Sequence, residues 1–325
     1  MMFRRLLEAA IVMSMGLGAE APIYAQTLSD ELKSRSETEG LGFATFVEAG
    51  QIAVRYFDGR TADVMVPGLT GLYDVEPHGS VILGSSRGPR VSPNDFVDSM
   101  LSVNFFLFSF SGAKAGSTGL HSWPIRATLS PAHDMLAALF VDRRTHRAVL
   151  RYGQLSWIST QEVFSLELAH DEESFLAENY RGDGFSWAPH QNEIVYSRNG
   201  RVYVFDRNNG ATKYLAEGSN PCWSPDGKSI AFVSPTHDLD VYDYLTRRVE
   251  QVTKSITVGG YPRWSPDSRY IMFTRSKVGN GVSASLAPTD IEVLRVSDGT
   301  RAKVLSPGLN ADNSSYYWIK SSVTR

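Results

Sequence analysis

Groups able to do chemistry are scattered along this sequence rather than gathered in it. The seven histidines (His78, His121, His133, His146, His170, His190 and His237) never pair at i, i+2 or i, i+4. Neither H-E-x-x-H nor C-x-x-C occurs, so no metal site is written on a single helix face or knuckle. The sequence has no glycine-rich phosphate loop of either common spacing, which removes the usual nucleotide signatures. Cys222 is the only cysteine; it excludes an internal disulfide and a multi-cysteine cluster, and reads as a small core residue. We expect no catalytic residue, no metal and no cofactor.

Three weaker constellations remain. Arg87, Arg90, His121 and Arg126 have the charge that an enzyme acting on acidic sugars or peptides would place at the mouth of a cavity, although no spacing demands it. Residues 159–184 hold Glu162, Glu167, Asp171, Glu172, Glu173, Glu178 and Asp183 against Arg181 alone. Such a field attracts a basic partner or a cation. A solvated face is the simpler reading, since no Asp-x-Asp-x-Asp-Gly loop is present. Trp187, Trp223, Trp264 and Trp318 could stack on sugars; their equivalent places in a repeat point instead to seams between structural units. The expected partner-binding residues are therefore Arg87, Arg90, Asp171, Glu172, Glu173 and Arg181, with the four tryptophans, Asp226 and Asp267 as structural positions.

These residues hang on a repeated element. In Pro221-Cys-Trp-Ser-Pro-Asp-Gly-Lys-Ser-Ile-Ala-Phe-Val233, an extended segment ends at Trp223. Pro225 presets φ, Asp226 bonds the turn backbone and Gly227 tolerates φ > 0. Ile230 and Phe232 then begin a buried strand. Copies run from Phe185 to Tyr196 and from Pro262 to Phe273, with eroded forms from Ala127 to Ala138 and from Tyr73 to Leu83. The tryptophan position is thus Val75, Leu129, Trp187, Trp223 and Trp264. A second hairpin follows in each unit, marked by Asn209-Gly210 and Asp298-Gly299 between alternating apolar residues. Two hairpins make one four-stranded blade.

This W-S-P-D-G-x-x-I-A-F pattern followed by a hairpin resembles the repeat of TolB-like β-propellers over the last half of the chain, and more loosely over residues 43–170. The resemblance implies an all-β propeller that docks another protein in the cell envelope. TolB proteins carry an α/β domain before the propeller, whereas here only residues 26–40 separate the expected signal from the first strand. Some similar propellers are instead enzymes with a site at the channel mouth, a lyase or hydrolase reading kept as the alternative.

Composition and address fit export. Net charge is −3, which does not favour nucleic acid. Residues 1–25 read as a signal peptide: Arg4 and Arg5, an apolar run from Ala9 to Ala19 with the acidic Glu8 against it, and Ile23-Tyr24-Ala25 before a cut at Gln26. The run is too short to span a bilayer. Residues 26–40 are a polar leader, helical or loose, and residues 41–325 a single domain. Residues 42–66 supply three strands of a blade that lacks its first; Ser315–Lys320, with Trp318, supplies that strand. Joining them removes two exposed edges and gives a six-bladed β-propeller, or seven blades if residues 155–183 hide an eroded unit. Ser86–Asn104, Ser159–Gly184 and Ser276–Asp290 are the long insertions, all on the face opposite the S-P-D-G turns, and that is the expected working face. The expected protein is a non-catalytic platform, periplasmic or secreted, that binds an envelope or extracellular protein or small ligand.

Overall fold

The computed structural model describes residues 20–48, 50–76, 81–87, 103–108, 114–118, 124–142, 145–157, 159–168, 184–189, 192–258, 261–276, 289–305 and 316–320. Among these described residues a helix, α1 (Glu20–Glu39), precedes twenty-four strands. The first blade takes β1 (Leu41–Glu48), β2 (Gln51–Tyr56) and β3 (Thr61–Met65). The second holds β4 (Leu69–Val75), β5 (Ile82–Arg87), β6 (Val103–Phe108) and β7 (Lys114–Ser117). The third holds β8 (Arg126–Leu129), β9 (Met135–Asp142), β10 (Arg147–Gln154) and β11 (Thr160–Glu167). The fourth holds β12 (Phe185–Trp187), β13 (Glu193–Arg198), β14 (Arg201–Asp206) and β15 (Thr212–Glu217). The fifth holds β16 (Ser219–Trp223), β17 (Ser229–Val233), β18 (Leu239–Asp243) and β19 (Arg248–Gln251). The sixth holds β20 (Arg263–Trp264), β21 (Tyr270–Ser276), β22 (Thr289–Arg295) and β23 (Arg301–Leu305).

The last strand, β24 (Tyr316–Lys320), returns to the first blade, whose order is β24-β1-β2-β3. It runs antiparallel to β1, with Ala44 opposite Tyr317 and Phe43 opposite Trp318. The protein is a six-bladed β-propeller closed by its two ends. One expectation needs correction: the stretch from residue 159 is not insertion throughout. Thr160–Glu167 is β11, paired along its length with β10. Glu162 and Glu167 disguise it, but Phe164 is buried and Val163 and Leu166 pack on the same core. With β11 completing the third blade, no seventh blade is needed.

The turn chemistry repeats atom for atom. In the fifth blade the Ser224 hydroxyl donates to Asp226 Oδ1 (2.6 Å) and accepts from the Ser229 N–H (2.9 Å). In the sixth, Ser265 and Asp267 do the same at 2.7 Å, with the Tyr270 N–H on Ser265. Gly227 stands at φ 71° in the first turn, while Ser268 and His133 take the matching place at 62° and 58°. His133 therefore occupies a turn position that favours glycine, histidine being one of the side chains more tolerant of it.

Six apolar clusters fill the six seams between blades. The seam between the sixth and first blades also receives α1. Leu28, Leu32 and Ser36 recur every fourth residue, so they share a face, and all three are buried. Leu28 and Leu32 pack with Phe43, Tyr270 and Trp318. Gly40, at φ 65°, ends the helix by donating to the Ser36 carbonyl. Polar contacts frame the apolar ones. Glu31 meets Arg269 (3.0 Å), Arg295 (2.5 Å) and the Tyr270 hydroxyl; Arg35 meets Asp267 (2.6 Å); Glu39 meets Lys320 of β24 (2.9 Å). The helix thus clasps the closing strand.

Hydrogen bonds from Arg35 and Lys320 pull the Glu39 pKa from 4.5 to about 2. A folded-state value below the unfolded one means stabilisation that is complete above about pH 4.5 and lost as the pH falls toward about 2. Urea midpoints at about pH 6 and about pH 3 test this. Glu39→Gln should lower the midpoint at the higher pH and shrink the difference between the two; an unchanged pH dependence would show that the clasp contributes nothing.

Candidate functional site

The innermost strands of the six blades surround a channel. Their register places one residue per blade immediately before the tryptophan position: Asp74, Thr128, Ser186, Cys222, Arg263 and Tyr317. All six line a cavity of about 240 Å³. It opens between the first-to-second-strand turns, past Pro131, Pro189 and Pro225. That is the face opposite the long segments. Cys222 is half-buried, lining the cavity and packing against the core of the fifth-to-sixth seam.

The same residues stitch the seams. The Trp318 indole donates to the Arg263 carbonyl (2.8 Å), Trp264 to the Cys222 carbonyl (3.0 Å) and Trp187 to the Thr128 carbonyl (3.4 Å). At the fourth-to-fifth seam the Trp223 N–H reaches the Ser186 hydroxyl (3.3 Å), and its indole ring stands edge-on to Tyr244. Where leucine replaces tryptophan, the Leu129 N–H donates to Asp74 Oδ2 (2.8 Å). The Tyr317 hydroxyl closes the remaining seam on the Tyr73 carbonyl. Each of these four tryptophans is at least 93% buried by this packing, since Trp187, the most exposed of them, is at 7%.

Charge concentrates at the inner end of the cavity. Arg263 lies over the Tyr317 ring, 4.3 Å from its centroid. Arg126, from the third blade, reaches across the channel to the opposite sixth blade and lies 4.0 Å over Tyr261; it also faces Phe185 of the fourth blade at 5.5 Å. The Asp74 carboxylate accepts from the Val75 and Leu129 N–H groups (3.0 and 2.8 Å). Burial raises the Asp74 pKa, against the pull of Arg263, the Leu129 N–H and Arg126. Burial opposes the charge of Arg263, but Tyr317, Cys222 and Asp74 outweigh it and its pKa is raised. The Tyr317 hydroxyl is pushed up by burial and stays protonated. Chemically, the site can orient an anion between fixed guanidinium planes.

Of the residues marked from sequence, Arg126 enters this cluster and the four tryptophans line the cavity wall. Asp226 and Asp267 sit in the turns at its rim and beyond. Arg87 ends β5 on the opposite face; its side chain lies outside the described residues, as do Arg90, His121, Asp171, Glu172, Glu173 and Arg181. Asp74, Arg263, Tyr261 and Tyr317 escaped the sequence reading. The signal that finds them is repeat register, the place before each tryptophan.

A scan of protein-family models finds no match for the sequence, and a search of curated proteins finds none. Solved structures do resemble it. One, described as "putative TolB from Agrobacterium tumefaciens", superposes with a TM-score of 0.57 at 15% identity, over 86% of this chain and 97% of that one. TolB from Acinetobacter baumannii gives a TM-score of 0.50 at 15% identity, over 82% and 68%. The fold is a TolB-like β-propeller. At this identity the likeness is one of architecture. Among the described residues no helix is long and apolar enough to cross a membrane.

Gly184 sets how closely the blades approach around Arg126. A Cβ there would lie 2.8 Å from both the Asn220 Cα and the Tyr261 ring. Gly184→Ala should therefore cost about 1–3 kcal/mol through displaced packing, read as a lower denaturant midpoint with an unchanged slope. An unchanged midpoint would mean that the Tyr261 ring yields freely.

Proposed function

We propose that this protein is an exported, non-catalytic platform that binds a protein partner in the bacterial periplasm or cell envelope, or outside the cell. The observation that carries the reading is topological. Antiparallel order in every blade sends the second-to-third connections and the inter-blade links to one face of a rigid ring, so the described strand ends that flank residues 88–102, 169–183 and 277–288 lie there. Long segments on a rigid scaffold are where binding concentrates. Arg87, Arg90, Asp171, Glu172, Glu173 and Arg181, in or beside those segments, are the proposed contact residues. The TolB-like fold supports the docking role by analogy of architecture.

Export rests on residues 1–25. A cut after Ala25 keeps Leu28, Glu31, Leu32, Arg35 and Glu39, the described side chains that hold α1 to the ring.

The test is expression of the full chain in a bacterial host, with fractionation and affinity capture from envelope extract. The expected result is a periplasmic or secreted protein beginning at Gln26 that recovers one reproducible partner, lost on Arg87→Glu/Arg90→Glu. A cytoplasmic protein with its first residues intact would overturn export. Equal recovery by the variant would overturn the assignment of the face, and failure to recover any partner would overturn the docking role.

A further inference from the structure

The channel holds a guanidinium donor that its own structure does not consume. Arg126 and Arg263 are both half-buried and both stacked on aromatic rings. Stacking fixes the plane of a guanidinium but leaves its in-plane N–H groups unspent. Arg126 Nη1 is buried and has no hydrogen-bond partner. A buried guanidinium nitrogen left unpaired is costly and calls for an acceptor.

The nearby carboxylate does not serve that need. Both oxygens of Asp74 already accept backbone N–H groups, and the two arginines act on it through space. The other titratable groups lining the cavity are Glu76 and His133 at the rim, Cys222 and Tyr317. Between rim and arginines the wall is apolar, built from Leu129, Trp187, Trp223, Trp264 and Trp318.

We propose that the channel is a receptor for a carboxylate borne on a small apolar body, with Arg126 and Arg263 as its two ligating residues. A planar carboxylate matches the fork of a guanidinium and can take two parallel N–H bonds from it. The tryptophan wall accepts the apolar remainder, and the cavity of about 240 Å³ sets its size at one small organic acid or one side chain or chain end of a peptide. The site is on the turn face, away from the proposed partner face, so it stands whether or not the docking role does.

Four tryptophans at the cavity supply the signal. The folded full chain is titrated at low ionic strength with benzoate, with a short peptide ending in a free carboxylate, with that peptide amidated, and with inorganic phosphate. The expected result is a saturable fluorescence change with benzoate, the free-acid peptide or both, silence with the amide, and at least tenfold weaker binding by Arg126→Gln. Which carboxylate binds more tightly distinguishes a free small acid from a peptide source. Arg263→Lys, which keeps the charge but removes the fork, should also weaken binding about tenfold, and replaces Arg126→Gln if that variant does not fold. The proposal is overturned if neither carboxylate saturates, if only phosphate does, if the amide binds as well as the acid, or if a folded arginine variant binds as wild type.

Discussion

Backbone pairing between Leu41–Thr45 and Tyr316–Lys320 joins the two ends of the chain, and the rest of the molecule depends on it. A blade has two apolar faces and can bury both only if it has a neighbour on each side. Without β24, the first blade would lack its innermost strand, and Phe43 and Ala44 would lose Trp318 and Tyr317 as cross-strand partners. Two sheet edges would also lie open to pairing with other chains. The clasp formed by α1 acts on the same joint, since Glu39 holds Lys320 and Leu32 packs with Trp318.

Closure also makes the channel. A tryptophan side chain directed into a seam brings its strand against the residue that precedes the equivalent position in the neighbouring blade. Repeated around the circle, this places six non-identical residues at one depth, from Asp74 to Tyr317. The wall of the cavity is therefore a product of structural packing, whereas its floor is chemically individual. Arg126 reaching Tyr261 across the diameter has no counterpart imposed by the repeat. A scaffold that repeats where it must pack is free to vary at the centre.

The repeat was legible because it rests on local physics. Proline, aspartate and glycine in a fixed turn, followed by alternating apolar residues, have few other solutions. Closure followed from an incomplete first blade and an isolated Ser-Tyr-Tyr-Trp at the far end. β11 was not legible as a strand, because Glu162 and Glu167 stand beside an acidic stretch and a register shift opposite Val163 breaks the alternation that Phe164 and Leu166 would show. The docking of α1 could not be foreseen either. Among the described side chains its buried face is Leu28, Leu32 and Ser36, and the arginines it meets lie more than two hundred residues away. Arg126 was marked for its charge, but its partners come from three other blades, and only the assembled ring places them together.

Native-state hydrogen exchange of the β1 and β24 amides tests the closure most directly. If pairing of the two ends is the constraint on which the ring depends, these amides exchange only through global unfolding, with the same free energy and denaturant dependence as the core amides of β13 and β17. Exchange of β24 through a smaller opening, with the other five blades still protected, would contradict the account.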